Sequence, residues 1–154
     1  MTDKQIQVSL EQEEAYRFVA HYDGQTPDLL TDEPPPLGHS TGPSPVQLLV
    51  TAVASCLTDS LVFALSKFRQ PTDGLSTQAI AHLGRNTDNR LRVLRIEARL
   101  QLGQPADTYQ HLDRILGQFE QFCTVTQSVA QGLPVELTVV DSSGTVLKAP
   151  GAAG

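Results

Sequence analysis

The chain has 154 residues, of which 40% are hydrophobic and 18% charged, and a net charge of −6, with an isoelectric point near 5.0. This is ordinary globular composition at the size of one domain, large enough for a real core. The acidic balance argues against nucleic acid or an anionic membrane as partner. The opening residues MTDKQIQVSLEQEE carry no apolar secretory stretch, so a cytoplasmic location is expected. In such a compartment the two cysteines are expected to be catalytic, redox-active or simply buried rather than a structural disulfide.

Gln5–Leu10 alternates Ile6, Val8 and Leu10, the pattern of a half-buried strand. The polar run Glu11–Glu14 reads as a turn. Tyr16, Phe18, Ala20 and Tyr22 then alternate as a second strand, ended by Asp23-Gly24. The two segments predict an antiparallel hairpin, and Leu29-Leu30 begins a short third strand. Asp32 to Gly42, DEPPPLGHSTG, reads as a loop. Its prolines exclude helix and sheet interior, and Gly38 and Gly42 suit tight backbone geometry.

The central stretch runs from Gly42 to Gln70. Ser44 suits a helix N-cap, Pro45 the first helical position, and Gln47 completes a capping box. Pro71 cannot continue the helix. Between them the segment is apolar almost all round, which predicts a buried helix. Its length also suits a bilayer. A mid-span Asp59 would cost roughly 2.5–3.5 kcal/mol there, so a core helix outside any membrane is expected. A helix apolar on every side needs cover on every side, and one chain of this size has few elements to supply it. A homodimer follows as an expectation.

Beyond Pro71, Leu75–Leu83 and Leu91–Leu102 read as strands joined by a turn at Arg85–Asn89. In the second, Arg92, Leu94, Ile96, Ala98, Leu100 and Leu102 form the mostly apolar face. Asp107 to Phe122 has helical periodicity in Tyr109, Leu112, Ile115, Leu116, Phe119 and Phe122. Cys123 follows, then a short helix over Thr124–Gln131, capped by Thr124 or Thr126 and stopped at Gly132. Pro134–Val140 is a final long strand, turned by Asp141–Gly144 into Thr145–Leu147. A small-residue tail, from about residue 148 to 154, is expected to be disordered. Strands grouped ahead of helices predict an α+β fold in a single domain over residues 1–154.

Cys56 lies well inside its helix, beyond the reach of the N-terminal dipole, so a thiolate there needs a cation from elsewhere. Cys123 precedes a short helix, a position expected to lower its pKa. Either cysteine is equally at home as a small buried hydrophobe. Two thiols on separate helices, each following an apolar stripe, can meet in the core and cycle between thiol and disulfide. Asp59, three residues after Cys56, would raise that thiol's pKa if it faced it. His21, His39, His82 and His111 lack ligand spacing, so no metal site is expected. Arg85, Arg90, Arg92, Arg95 and Arg99 read as surface charges.

The run Gly42-Pro43-Ser44-Pro45, Leu48-Leu49, Ala52, Ala54-Ser55-Cys56 and Leu61 resembles the OsmC/Ohr family of thiol peroxidases. That family carries a Gly-x-Asn-Pro-Glu-x-Leu helix start and an Ala-Cys pair on a long central helix. Asp32-Glu33-Pro34 with Leu37-Gly38 resembles its preceding loop. Cys123-Thr124-Val125-Thr126 resembles its Cys-Pro-Val-Ser. The resemblance spans roughly residues 5–147. It implies an α+β, OsmC-like fold: a long central buried helix and a second helix packed on antiparallel sheets, in an intertwined homodimer. It implies a thiol-dependent peroxidase acting on organic hydroperoxides, with no cofactor and an external dithiol as reductant. By motif position Cys56 is the peroxidatic and Cys123 the resolving cysteine. The activating arginine of the N-terminal hairpin falls nearest Arg17. Typical members place Glu directly after the helix-start Pro, where it holds that arginine; here the residue is Val46, and Glu33 is the nearest substitute. Ser44 replaces the family Asn and Thr124 the family Pro. These departures leave a second expectation open: a non-catalytic OsmC-like protein that binds a small ligand or senses oxidant.

Overall fold

The computed structural model describes residues 3–151. Residues 152–154 of the expected tail lie outside them. The chain forms two compact units, Met1–Leu49 and Val50–Gly154.

In the first unit, β1 (Val8–Glu14), β2 (Arg17–Tyr22) and β3 (Leu29–Thr31) form an antiparallel sheet in that order. The turn expected at Glu11–Glu14 is instead the second half of β1, with Glu11 opposite Val19 and Gln12 opposite Phe18. Every residue of β1 is exposed, so its backbone pairing rather than burial holds it in place. The chain reverses at Ala15, whose φ is +47°.

The loop from Asp32 to Gly42 folds around a carboxylate. Buried Asp32 accepts hydrogen bonds from the Glu33 amide (2.8 Å), the His39 amide (3.0 Å), the Thr41 amide (3.1 Å) and the Thr41 hydroxyl (2.8 Å). Led by the Thr41 amide, these donors hold its pKa down at about 2, against the desolvation that would raise it. A Cβ at Gly38 would collide with the Asp32 carboxylate and the Glu33 carbonyl, and one at Gly42 with the Leu30 carbonyl. Glycine is required at both.

Helix α1 (Pro45–Lys67) begins in this unit and runs on into the second. Its start is the expected capping box: Ser44 N–H donates to Gln47 Oε1 (2.8 Å), and Gln47 N–H donates to Ser44 Oγ (3.3 Å). Its end comes before Pro71. Arg69 turns left-handed at φ +55°, its amide bonds to the Ser66 carbonyl (3.0 Å), and the Gln70 amide bonds to the Leu65 carbonyl (2.9 Å). That pair of bonds is a Schellman termination, with arginine where glycine is usual.

α1 is not buried on all sides. Val53, Leu57, Leu61 and Leu65 are fully buried, a single stripe at intervals of four, while Phe63 is 64% exposed. Each leucine in that stripe stabilises the unit by roughly 1.5–3 kcal/mol. By length and composition alone α1 would also suffice to cross a membrane.

In the second unit, β4 (Ser76–Arg85), β5 (Leu91–Gln101), β6 (Val135–Val140) and β7 (Val146–Lys148) form one sheet in chain order. Its pairs are antiparallel except β5–β6, which is parallel. The apolar face of β5 is as expected from Ile96 to Leu102, where Ile96, Ala98, Leu100 and Leu102 are buried; Leu94 remains exposed. β7 reaches Lys148, the first residue of the expected tail.

The helix expected over Asp107–Phe122 is broken. A 3-10 turn (Ala106–Thr108), helix α2 (Leu112–Gln118) and a second 3-10 turn (Phe119–Phe122) replace it. Side chains compete for the amides at the break. Gln104 N–H donates to Tyr109 Oη (3.2 Å) and Gln110 N–H to Gln70 Oε1 (2.7 Å), while His111 turns left-handed at φ +59°. Helix α3 (Thr124–Val129) follows at once, and its N-cap position is Cys123 rather than Thr124 or Thr126.

Candidate active site

The two cysteines meet within the second unit. Cys56 is half-buried on the middle turns of α1, one residue before the buried Leu57, and Cys123 is fully buried at the start of α3. Both thiols are free, and their sulfurs are 2.7 Å apart, with Cys123 Sγ as donor and Cys56 Sγ as acceptor. A disulfide needs about 2.05 Å. The pair therefore stands within reach of bond formation without rearrangement of its helices.

Three features fix Cys123. Its amide donates to the Glu120 carbonyl (3.1 Å), closing the second 3-10 turn. Its own carbonyl accepts from the Gln127 amide (2.9 Å), the first turn of α3. Its sulfur also lies 2.9 Å from the hydroxyl of buried Thr126. The expected lowering of its pKa by the short helix is reversed. Burial comes first and the bond to Cys56 second; together they push the thiol up, against the weaker pull of the Thr126 hydroxyl and amide. Cys123 thus rests as a protonated thiol.

The 3-10 turn ahead of Cys123 is itself clamped. Lys148 Nζ donates to the Leu116 carbonyl (2.8 Å), pairs with Glu120 (2.6 Å) and lies 5.7 Å from the centre of the Phe119 ring. Beside it, between α1 and α2, is a small apolar cleft of about 60 Å³. Phe63, Phe68, Ile115, Phe119 and Phe122 line it, with Lys67 among them. Phe122 is the residue before Cys123 and is 64% exposed.

Arg17, the expected activating cation, belongs to the first unit, where Glu13 (3.1 Å) and Glu14 (3.4 Å) are its partners. Glu33 lies in the same unit, its amide bound to Asp32. Asp59 is exposed and lines a shallow groove with Ser55, Thr58 and Thr77. Among the described residues no group of three metal-ligating side chains comes together.

Sequence reasoning missed Thr126 and Lys148. Thr126 carried a signal, since a residue three beyond an N-cap faces the cap's side chain. Lys148 carried none, because its partners lie 32 and 28 residues away, on α2 and the 3-10 turn that follows it.

Residues 38–138 match a model of the OsmC-like protein family. The chain belongs to that family. No curated protein sequence matches it. Its fold is similar to an OsmC-like protein of unknown function from Vibrio cholerae, at 17% identity and a TM-score of 0.71, covering 88% of this chain and 99% of the other. It is similar to an organic hydroperoxide resistance protein from Elizabethkingia anophelis, at 14% identity and a TM-score of 0.70, covering 92% and 99%. The organic hydroperoxide resistance protein OhrB of Bacillus subtilis gives 14% identity and a TM-score of 0.65, covering 88% and 98%. At these identities the likeness is one of fold, and the α+β architecture expected from the sequence is the one these OsmC-like structures share.

Proposed function

We propose that this OsmC-like protein is a thiol-dependent hydroperoxide reductase, with Cys56 as nucleophile and Cys123 as resolving thiol. The observation that carries the reading is the 2.7 Å approach of the two free sulfurs, one half-buried and one fully buried. Only the half-buried sulfur is open to a substrate. The thiolate of Cys56 attacks the distal peroxide oxygen, the O–O bond breaks, and the departing alkoxide takes a proton and leaves as alcohol. Cys56 is then a sulfenic acid. The sulfur of Cys123 attacks the Cys56 sulfur, the S–O bond breaks, and the hydroxide leaves as water with the proton Cys123 gave up. An external dithiol returns the disulfide to two thiols.

We assign an alkyl or aryl hydroperoxide as substrate, in keeping with the exposed apolar side chains of Phe63 and Phe122 in the same unit. We assign activation of Cys56 to Arg17, whose partners within its own unit are Glu13 and Glu14. The exposed apolar surface of α1, with Phe63 at 64%, supports a homodimer as the working form, and we place it in the cytoplasm. A second reading, a non-catalytic protein that binds a small apolar ligand or senses oxidant, is favoured by Val46 at the family's glutamate position.

Rapid mixing of reduced protein with cumene hydroperoxide separates the two. Loss of two thiols per chain, abolished by Cys56→Ser and reduced to one by Cys123→Ser, is expected. Thiols that survive the peroxide in wild type and Cys56→Ser alike would end the peroxidase reading.

A further inference from the structure

Cys123 has a single S–H proton and two acceptors within reach: Cys56 Sγ at 2.7 Å and Thr126 Oγ1 at 2.9 Å. A thiol cannot donate to both at once. The Thr126 hydroxyl can both donate and accept, and it is buried, so its bond to the sulfur does not compete with solvent. We infer that Thr126 is a positioning residue for disulfide closure: its hydroxyl donates to the Cys123 sulfur, turns the S–H proton toward Cys56, and stays bonded to that sulfur while it carries charge. This rests on the reading of Cys56 and Cys123 as a redox pair.

The consequence follows the electrons through closure. As Cys123 attacks Cys56, its proton leaves with the displaced group on that side, and negative charge builds on a sulfur with no solvent around it. Burial makes that charge costly. The Thr126 hydroxyl is a donor already aimed at it, and needs no rearrangement when the proton departs. In the reverse direction, an external thiolate can reach only the half-buried Cys56 sulfur. Its attack forms a new S–S bond at Cys56, breaks the bond to Cys123 and expels Cys123 as thiolate, again onto the Thr126 hydroxyl.

The test uses the full-length protein and no peroxide. Dithiobis(nitrobenzoate) added to reduced protein first labels the accessible Cys56, releasing one nitrothiobenzoate. Cys123 then attacks the labelled Cys56 sulfur, forming the protein disulfide and releasing the second. Thr126→Val, nearly isosteric, is expected to leave the first release unchanged. It should slow the second about tenfold and move its pH midpoint up by about one unit. Thr126→Ser, which restores the hydroxyl, is expected to stay within about threefold of wild type. A second release in Thr126→Val at the wild-type rate, with the same pH midpoint, would overturn the inference. So would a Thr126→Ser as slow as Thr126→Val, since the missing methyl and not the hydroxyl would then be responsible. Wild type that closes its disulfide with this reagent but leaves cumene hydroperoxide untouched would remove the peroxidase reading and leave the role of Thr126 standing.

Discussion

Asp141 and Cys123 are both buried ionisable groups of the same unit, and they end on opposite sides of their ordinary pKa values. Asp141, 4% exposed, sits in the turn between β6 and β7. It accepts from the Ser143 hydroxyl (2.7 Å), the Thr145 amide (2.9 Å), and the Ala106 and Ser143 amides (3.0 Å each). The Ser143 hydroxyl leads in holding its pKa down at about 2. Cys123, fully buried, has only the Thr126 hydroxyl and amide, and burial, with the bond to Cys56, pushes it up. Burial alone does not set the charge of a group. The number of donors already aimed at it does. The turn is built to hold a charge, and the thiol pocket to hold a proton until it is taken.

The most direct attempt to break this contrast is Cys123→Asp, which puts the turn's carboxylate into the thiol's pocket. With one amide and one hydroxyl, both of Thr126, in place of the three amides and one hydroxyl at Asp141, the buried carboxyl is expected to take up a proton, at a cost of up to about 4 kcal/mol at pH 7. The urea midpoint is expected to fall steeply at pH 7 and to recover as pH is lowered toward 4. A variant as stable as wild type at pH 7 would show that donors are available in the pocket after all. The complementary change, Asp141→Asn, removes the charge and sets an amide donor against the turn's own donors. The folded-state pKa of Asp141 lies below the ordinary 3.8, so its contribution is fully present above that value and is lost as pH falls through about 2. Asp141→Asn should therefore lower the thermal midpoint by about 5 °C at pH 7 and by almost nothing near pH 2. A difference that persists unchanged to pH 2 would assign the loss to packing instead of charge.

Lys148 is the intermediate case: a nearly buried ammonium held by one carboxylate and one carbonyl. Lys148→Met keeps the stem and loses the charge. Because Glu120 is partly open to solvent, the expected loss is about 1–2 kcal/mol in urea unfolding, less than the value for a fully buried pair. The variant also loosens the turn that carries Cys123, so the second thiol release is expected to slow more than the first. Equal effects on both would mean the clamp serves stability only.

What the sequence showed of all this follows the range of the interactions. The capping box at Ser44 and Gln47 and the buried face of β5 from Ile96 to Leu102 depend on near neighbours, and both are found where the pattern places them, whereas α3 ends at Val129, short of the stop expected at Gly132. The second half of β1, Glu11–Glu14, was hidden because pairing needs no apolar residues on an exposed edge. The break in Asp107–Phe122 was hidden because Gln70, 40 residues earlier, claims the Gln110 amide. The positions of the two cysteines were legible, but their 2.7 Å separation was not, because it depends on how α1 and α3 pack. The sign of the Cys123 shift was misread for a related reason. Helix position is visible in sequence, whereas the burial that outweighs it is not.

The smallest effect expected is at alkaline pH, where Cys123 should act as the mirror image of Asp141. Its folded-state pKa lies above the ordinary 9.0, so the folded chain holds a proton that the unfolded chain releases. Stability is therefore complete below about pH 9 and declines as pH rises through the folded value, by at most about 1.4 kcal/mol per pH unit for one group. Cys123→Ala removes the titrating group and should flatten that limb of the urea-midpoint profile, while leaving the acid limb from Asp141 untouched. The same profile for Thr126→Val should be steeper than wild type, since losing the hydroxyl raises the thiol further. If Cys123→Ala and wild type decline in parallel above pH 9, the alkaline loss belongs to other groups. The opposition between the donor-rich turn and the donor-poor pocket would then hold for Asp141 alone.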